Sequence, residues 1–238
     1  MNARRRIPLL SLLGGLCLLL ERPSLGQATF ELQNRGFPNE GAVYDAQGVP
    51  LAGTNYLVEL WGGAAPDSLS PAVTFWYPSE RIIVPFRTNG KFFAGDSDLC
   101  ILAVPPMGWA WLQVRAWDAR LGPTYEVAIT RGIGGYGESP LFYAQGDSPY
   151  GLPGGTAPLT GLRSFNLRPF SGVFIFSARK QENQIVLDWI GGAPIYQVQQ
   201  TSALDHAWEN IGPPTSALSF TNTLSAEAAF FRVVALSQ

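Results

Sequence analysis

The ten residues from Trp109 to Asp118, Trp-Ala-Trp-Leu-Gln-Val-Arg-Ala-Trp-Asp, constrain this chain more than any other stretch. They are rich in strand formers, and successive side chains of a strand point to opposite faces, so Ala110, Leu112, Val114 and Ala116 fall in one row. That row is small and wholly apolar, as a face packed on a core must be. The opposite row, Trp109, Trp111, Gln113, Arg115 and Trp117, carries three indoles and two long polar side chains, which suits a face only partly closed off from water. The stretch reads as a central strand of an antiparallel sheet.

The rest of the chain supports β structure, because 26 Gly and 19 Pro interrupt it throughout and charged residues make up only 14%. The expected strands are short: Thr29 to Gln33, Tyr56 to Trp61, Val73 to Tyr77, Arg81 to Phe86, Lys91 to Ala94, Leu141 to Ala144 and Ser164 to Leu167 flank the central one. Asp45-Ala46-Gln47-Gly48 and Thr88-Asn89-Gly90 supply the residues that tolerate positive φ in tight connections. One short helix is expected from Tyr125 to Arg131, capped by Thr124 and ended by Gly132. The Pro- and Gly-rich stretch Gln145 to Gly161 reads as a long surface loop.

The amino terminus reads as an address. Arg4, Arg5 and Arg6 precede the Leu-rich run Ile7 to Leu20, and small residues follow, which is the pattern of a secretory signal over residues 1–28 with cleavage after Gly26 or Ala28. The run holds 14 residues, short of the roughly 20 that a spanning helix needs. No membrane span is therefore expected after cleavage. Removing Arg4, Arg5, Arg6, Arg22 and Glu21 from 16 basic and 18 acidic residues leaves 12 and 17, a net charge near −5. Without a Lys/Arg cluster, such a chain has no electrostatic footprint for nucleic acid or an anionic membrane surface. Cys17 leaves with the signal and Cys100 remains alone, so stability must come from a core and not from an internal disulfide.

The strand pattern starts afresh after Arg168-Pro169-Phe170-Ser171-Gly172. This places a boundary there: a β-rich domain over 29–168, a linker at 169–172 and a small β-sandwich over 173–238. Six short strands are expected in the last segment, at Val173 to Ser177, Gln184 to Trp189, Ile195 to Gln200, Ala207 to Ile211, Leu218 to Thr221 and Ala229 to Val234. The fold class is thus mainly β, an N-terminal antiparallel sandwich-like domain with one short helix followed by a smaller sandwich.

Several of these residues carry a resemblance. Ile185-Val186-Leu187-Asp188-Trp189, Tyr196-Gln197-Val198-Gln199-Gln200-Thr201, Trp208 and Phe230-Phe231-Arg232-Val233 resemble the carboxy-terminal modules of many secreted bacterial proteins, which are similar to truncated fibronectin type III domains. In the larger segment, Val43-Tyr44-Asp45, Pro50-Leu51-Ala52-Gly53, Val84-Pro85-Phe86-Arg87 and Gln113 to Asp118 resemble an uncharacterised family of secreted β-rich proteins from environmental bacteria. The resemblances imply a location outside the inner membrane (periplasmic, cell-surface or extracellular) and a fold. They bring no catalytic residues.

The constellations that could carry chemistry are weak. Gly132-Ile133-Gly134-Gly135-Tyr136-Gly137 matches a dinucleotide fingerprint in form, but Pro140 and a short strand follow where the fingerprint needs a helix, so it reads as a glycine-rich loop. Asp96-Ser97-Asp98 offers two carboxylates to calcium, too few for a site, and reads as a solvated loop. His206, the single histidine, rules out paired-His zinc sites and reads as a surface loop residue, and Cys100, between Leu99 and Ile101, as a buried small hydrophobe. For glycoside hydrolysis the one pair to nominate is Glu126 and Glu138, which flank the glycine-rich loop. No catalytic, cofactor-binding or metal site is assigned, and no cofactor.

The aromatics are the stronger lead. Trp76, Tyr77, Trp109, Trp111 and Trp117 form the candidate stacking set, since flat rings on an exposed sheet face stack on sugars or anchor protein partners, unless they instead fill the space between two sheets. The expected function is therefore a secreted, non-enzymatic binding or scaffolding protein whose partner is an extracellular protein or a polysaccharide. The alternative is a carbohydrate-binding protein or carbohydrate-active enzyme that uses exposed aromatics.

Overall fold

The computed structural model describes residues 27–34, 41–149, 156–192, 194–224 and 230–236, with the side chains of residues 96 and 97 outside that description. The signal-like run and the middle of the Pro/Gly-rich stretch lie outside it.

The protein is mainly β. In the first part of the chain the elements are β1 (Ala28–Gln33), β2 (Val43–Tyr44), β3 (Gly53–Gly63), β4 (Ser70–Pro71), β5 (Val73–Thr74), β6 (Val84–Phe86), β7 (Phe93–Ile101), β8 (Trp109–Asp118), a 3₁₀ turn (Ala119–Leu121), α1 (Tyr125–Thr130), β9 (Tyr136–Glu138), β10 (Phe142–Gln145) and β11 (Phe165–Asn166). Strand β8 spans the residues its alternation predicts. It pairs with β3 on one side and with β9 and β10 on the other, so it is the centre of the largest sheet. A second sheet has the order β1-β7-β5, and β2 pairs in parallel with β11.

Ala110, Leu112, Val114 and Ala116 are fully buried, and they meet Phe30, Leu32, Leu99 and Ile101 from the second sheet in one apolar cluster. Two sheets facing across side chains of this kind bury them as the alternation requires. Two expectations change here. Asp96 to Asp98 run within β7 and not through a loop: Asp98 pairs with Glu31 and Phe93 with Gln33, and the residues between them pass through an irregularity in the register, so a polar stretch with no strand signal of its own is carried between two paired positions. The Pro/Gly-rich stretch is anchored at both described ends: Thr29 exchanges backbone hydrogen bonds with Asp147 and accepts one from Ala157, and Leu159, with Leu162 just beyond the stretch, enters the core.

Six further strands follow: β12 (Val173–Gln181), β13 (Gln184–Gly191), β14 (Tyr196–Thr201), β15 (Glu209–Thr215), β16 (Ser219–Thr223) and β17 (Phe230–Ala235). They form two three-stranded sheets, β12-β13-β16 and β15-β14-β17. Leu187 and Trp189 from the first meet Tyr196 and Val198 from the second in a separate cluster.

The segment between the two parts is tied down. Arg168 donates its backbone N–H to Tyr136 and accepts from Gly135, and Ser171 donates to Ile133. The glycine run makes this approach possible: a Cβ on Gly134, whose φ is +86°, would lie 2.0 Å from the Pro169 carbonyl oxygen, and one on Gly137 2.6 Å from that of Asn166. Glycine serves here for close backbone packing, which is the physical content of the fingerprint-like spacing. Trp117, Leu121, Tyr125 and Ala128 share a buried cluster with Ile190 of β13, with Phe170 and Phe174 against it.

Candidate functional site

Cross-strand register decides what shares the outer face of β8. Gln145 lies opposite Trp109, Tyr143 opposite Trp111, Trp61 opposite Gln113, Glu59 and Glu138 on either side of Arg115, and Leu57 and Tyr136 on either side of Trp117. Directly opposite residues point to the same side of a sheet, so these side chains form one continuous surface.

That surface changes character along the strand. Trp109 is 52% and Tyr143 50% exposed, and their rings stack at 5.2 Å with 22° between planes. Trp111, half-buried, has its ring centroid 5.0 Å from that of Tyr143, with 40° between planes. The three rings make a strip on the outer face, with Tyr143 packed against both indoles. Trp117, at the far end, is fully buried, and its Nε1 donates to the Gly122 carbonyl at 2.9 Å. It is thus core and not platform, because the 3₁₀ turn and α1 close over the end of the sheet and the second part of the chain packs there. Trp76 and Tyr77 are exposed at 75% and 67%, on the connection between β5 and β6, and they stand in the other sheet's neighbourhood, not in the β8 row.

Past Trp111 the face opens into a cleft of about 540 Å³. Gln113 and Arg115 form its floor, Tyr125 and Ile129 of α1 and Tyr136 and Glu138 of β9 one side, and Pro66, Asp67 and Leu69 the other. Helix α1 is held in place by its sequence: the Thr124 hydroxyl accepts from Val127 N–H, as the cap predicts. The helix ends at Thr130, one residue short of the expected end, with Arg131 as its cap.

The polar groups in and below the cleft form a chain of contacts. Glu138 accepts from the Tyr125 hydroxyl in a short hydrogen bond and from Arg168 Nη2 at 2.8 Å. Burial, and then this hydrogen bond, push Tyr125 well above the ordinary tyrosine range, so it stays protonated and donates. Beneath, Glu59 is buried and accepts from Trp61 Nε1 at 2.7 Å and from Arg81 at 2.5 Å, while Arg81 forks onto Glu126 at 3.0 and 3.1 Å. Arg115 stacks its guanidinium on the Trp61 ring, 3.6 Å from the centroid, and donates Nε–H to Gln113 Oε1 at 2.9 Å.

The nominated carboxylate pair therefore separates in role. Glu138 lines the cleft, whereas Glu126 is engaged by Arg81. Cys100 is buried in β7, and burial, with the Asp98 carboxylate adding, pushes its thiol up to about 11, far from a nucleophile's range. His206 sits on an exposed turn of the second part, its Nδ1 3.1 Å from Ser202 Oγ. Among the described residues no group of three or more His, Cys, Asp or Glu is placed to hold a metal ion, and no helix is long and apolar enough to cross a membrane.

Sequence reasoning named Trp109 and Trp111 but missed Tyr143, which packs on both, and Tyr125 and Arg168, which meet Glu138 in the cleft. Gln113 and Arg115 were legible, since they share the alternating row. The others arrive through register and long-range packing, which no local signal carries. No known protein family matches the sequence, and no curated protein is significantly similar to it.

Proposed function

We propose that this is a secreted, non-enzymatic binding protein whose larger unit, residues 29–168, holds a polysaccharide along the strip Trp109, Tyr143 and Trp111. The observation that carries the reading is the pair of exposed, nearly parallel rings at Trp109 and Tyr143 in line with a polar cleft. Sugar rings present flat apolar faces and hydroxyl edges, so a stacking strip followed by convergent hydrogen-bonding groups fits them better than it fits a compact apolar ligand. The second unit, residues 173–238, is read as a truncated fibronectin type III-like module joined by the linker 169–172. Its two facing three-stranded sheets support that reading, and its role is to support or space the binding unit.

Tryptophan fluorescence titration of the protein lacking residues 1–26 with soluble glycans tests the function. Binding is expected to change emission, and Trp111→Ala to weaken it by at least about 30-fold, the scale of a central aromatic anchor. An unchanged affinity in Trp111→Ala removes the strip from the site. Release of reducing ends from any of the same glycans favours the carbohydrate-active enzyme instead.

The secretory reading also predicts a processing site. Ala28 is fully buried and its N–H donates to the Val104 carbonyl at 3.0 Å, at the start of β1. Cleavage after Gly26 preserves that residue and cleavage after Ala28 removes it from the strand. The secreted protein is therefore expected to begin at Gln27, which an intact-mass measurement checks; a mass beginning at Thr29 contradicts it.

A further inference from the structure

Arg115 is the guanidinium of the cleft whose charge is least satisfied. Its two cross-strand neighbours are carboxylates, yet both are committed elsewhere: Glu59 to Trp61 and Arg81, and Glu138 to Tyr125 and Arg168. Among the described residues Arg115 makes no ion pair, and its one side-chain hydrogen bond goes from Nε to Gln113. That bond and the Trp61 ring beneath fix the plane of the group. A guanidinium has five N–H donors, so the two Nη ends of this one remain for a ligand, already oriented. Burial lowers the pKa of Arg115 in spite of the carboxylates nearby, which is the behaviour of a charge short of a direct partner.

Resting on the polysaccharide reading above, we infer that the cleft takes a carboxylate-bearing sugar, a uronic acid residue, with the Arg115 fork on its carboxylate while neighbouring residues of the polymer stack on Trp111, Tyr143 and Trp109. The chemistry follows from shape: a planar carboxylate matches a fixed guanidinium fork through two parallel hydrogen bonds, which a hydroxyl pair does less strongly. Gln113, the next residue of the row after Trp111, lines the cleft, so one chain reaches both. Two acidic side chains also line the cleft. Glu138 is neutralised by Arg168, and Asp67 is exposed at the rim, where water and salt screen it.

The test titrates the protein with polygalacturonate, alginate and hyaluronate oligomers, with the carboxyl-reduced form of each, and with dextran sulfate. At least one uronate is expected to bind about 10- to 100-fold more tightly than its carboxyl-reduced form, the scale of a hydrogen-bonded charge pair. Arg115→Gln is expected to lose that margin, so that the uronate and its reduced form bind alike. Arg115→Lys, which keeps the charge without the fork, should recover part of it and carries the test if Arg115→Gln melts early. Equal affinity for the acidic and reduced forms overturns the inference while leaving the glycan-binding reading in place. Dextran sulfate bound as tightly as the best uronate, with the same Arg115 dependence, overturns the carboxylate assignment in favour of sulfate. Failure of every glycan, acidic or neutral, overturns both readings.

Discussion

Trp117→Ala is expected to destabilise the protein by about 3 to 5 kcal/mol, the range for emptying a fully buried large aromatic site. The ring has no exposed surface, donates to the Gly122 carbonyl, and packs edge-on to Tyr125 at a centroid distance of 6.2 Å. Removing it opens a void and takes away the donor to the part-buried Gly122 carbonyl. The same cluster holds Ile190 from β13 with Phe170 and Phe174 beside it, so the loss should reach beyond the larger unit. Chemical denaturation followed by far-ultraviolet circular dichroism checks the magnitude. Trp189, the buried indole of the second unit, offers a way to follow that unit's response separately. A loss below about 1 kcal/mol would show that neighbours collapse into the site. If the second unit keeps its own midpoint in the variant, the two units fold independently despite the shared cluster, as the proposed division near Pro169 requires.

What could be read from the sequence divides along the range of the interactions involved. Strand β8 was legible to both ends, because its alternation is a local consequence of one face packing on a core. The Asn89-Gly90 turn was legible too: both residues have positive φ, 50° and 69°, which Asn tolerates and Gly, without a Cβ, adopts freely. Thr124 announced α1 through its cap. Strand β7 was cut short at Ala94, since Gly95 to Asp98 lack strand formers and are carried between Phe93 and Asp98, whose partners in β1 are separated by a register irregularity. The site followed the same rule. Trp109, Trp111, Gln113 and Arg115 lie two residues apart and could be grouped by eye. Tyr143 joins them through the pairing of β10, Tyr125 through the docking of α1, and Arg168 through the glycine run, contacts between residues well separated in sequence that leave no trace in any short window. Trp117 belonged to the row by spacing and to the core by tertiary packing; periodicity assigns a side to a residue, but not what covers that side.

The ion pair beneath the cleft gives the second large effect. Arg81→Met is expected to cost about 3 to 5 kcal/mol at neutral pH, because it leaves a buried carboxylate without its cation. Glu59 is 1% exposed and keeps, in that variant, only the Trp61 Nε1 hydrogen bond at 2.7 Å. Burial already raises its pKa above the ordinary 4.5, against the pull of Trp61 and Arg81, and loss of Arg81 raises it further. The direction with pH follows. Between the ordinary value and the raised one, the native state holds a proton that the unfolded state has released, so stability falls as pH rises through that window. The deficit of Arg81→Met should therefore be greatest near neutral pH and shrink as the pH is lowered, levelling off below the ordinary value of 4.5, where Glu59 becomes protonated in both states. Adding Glu59→Gln removes the stranded charge and is expected to recover most of the loss and to abolish the slope. Denaturation midpoints of the wild type, the single variants and the double variant across that range check each step, and a deficit independent of pH would mean that Arg81 acts through packing on Trp61 and not through the carboxylate. The consequence reaches the cleft, because Arg81 also grips Glu126 on α1, and α1 carries Tyr125 and Ile129 to the cleft wall. A helix of six residues has little stability of its own, so without that grip the wall should loosen and ligand affinity should fall along with the global stability.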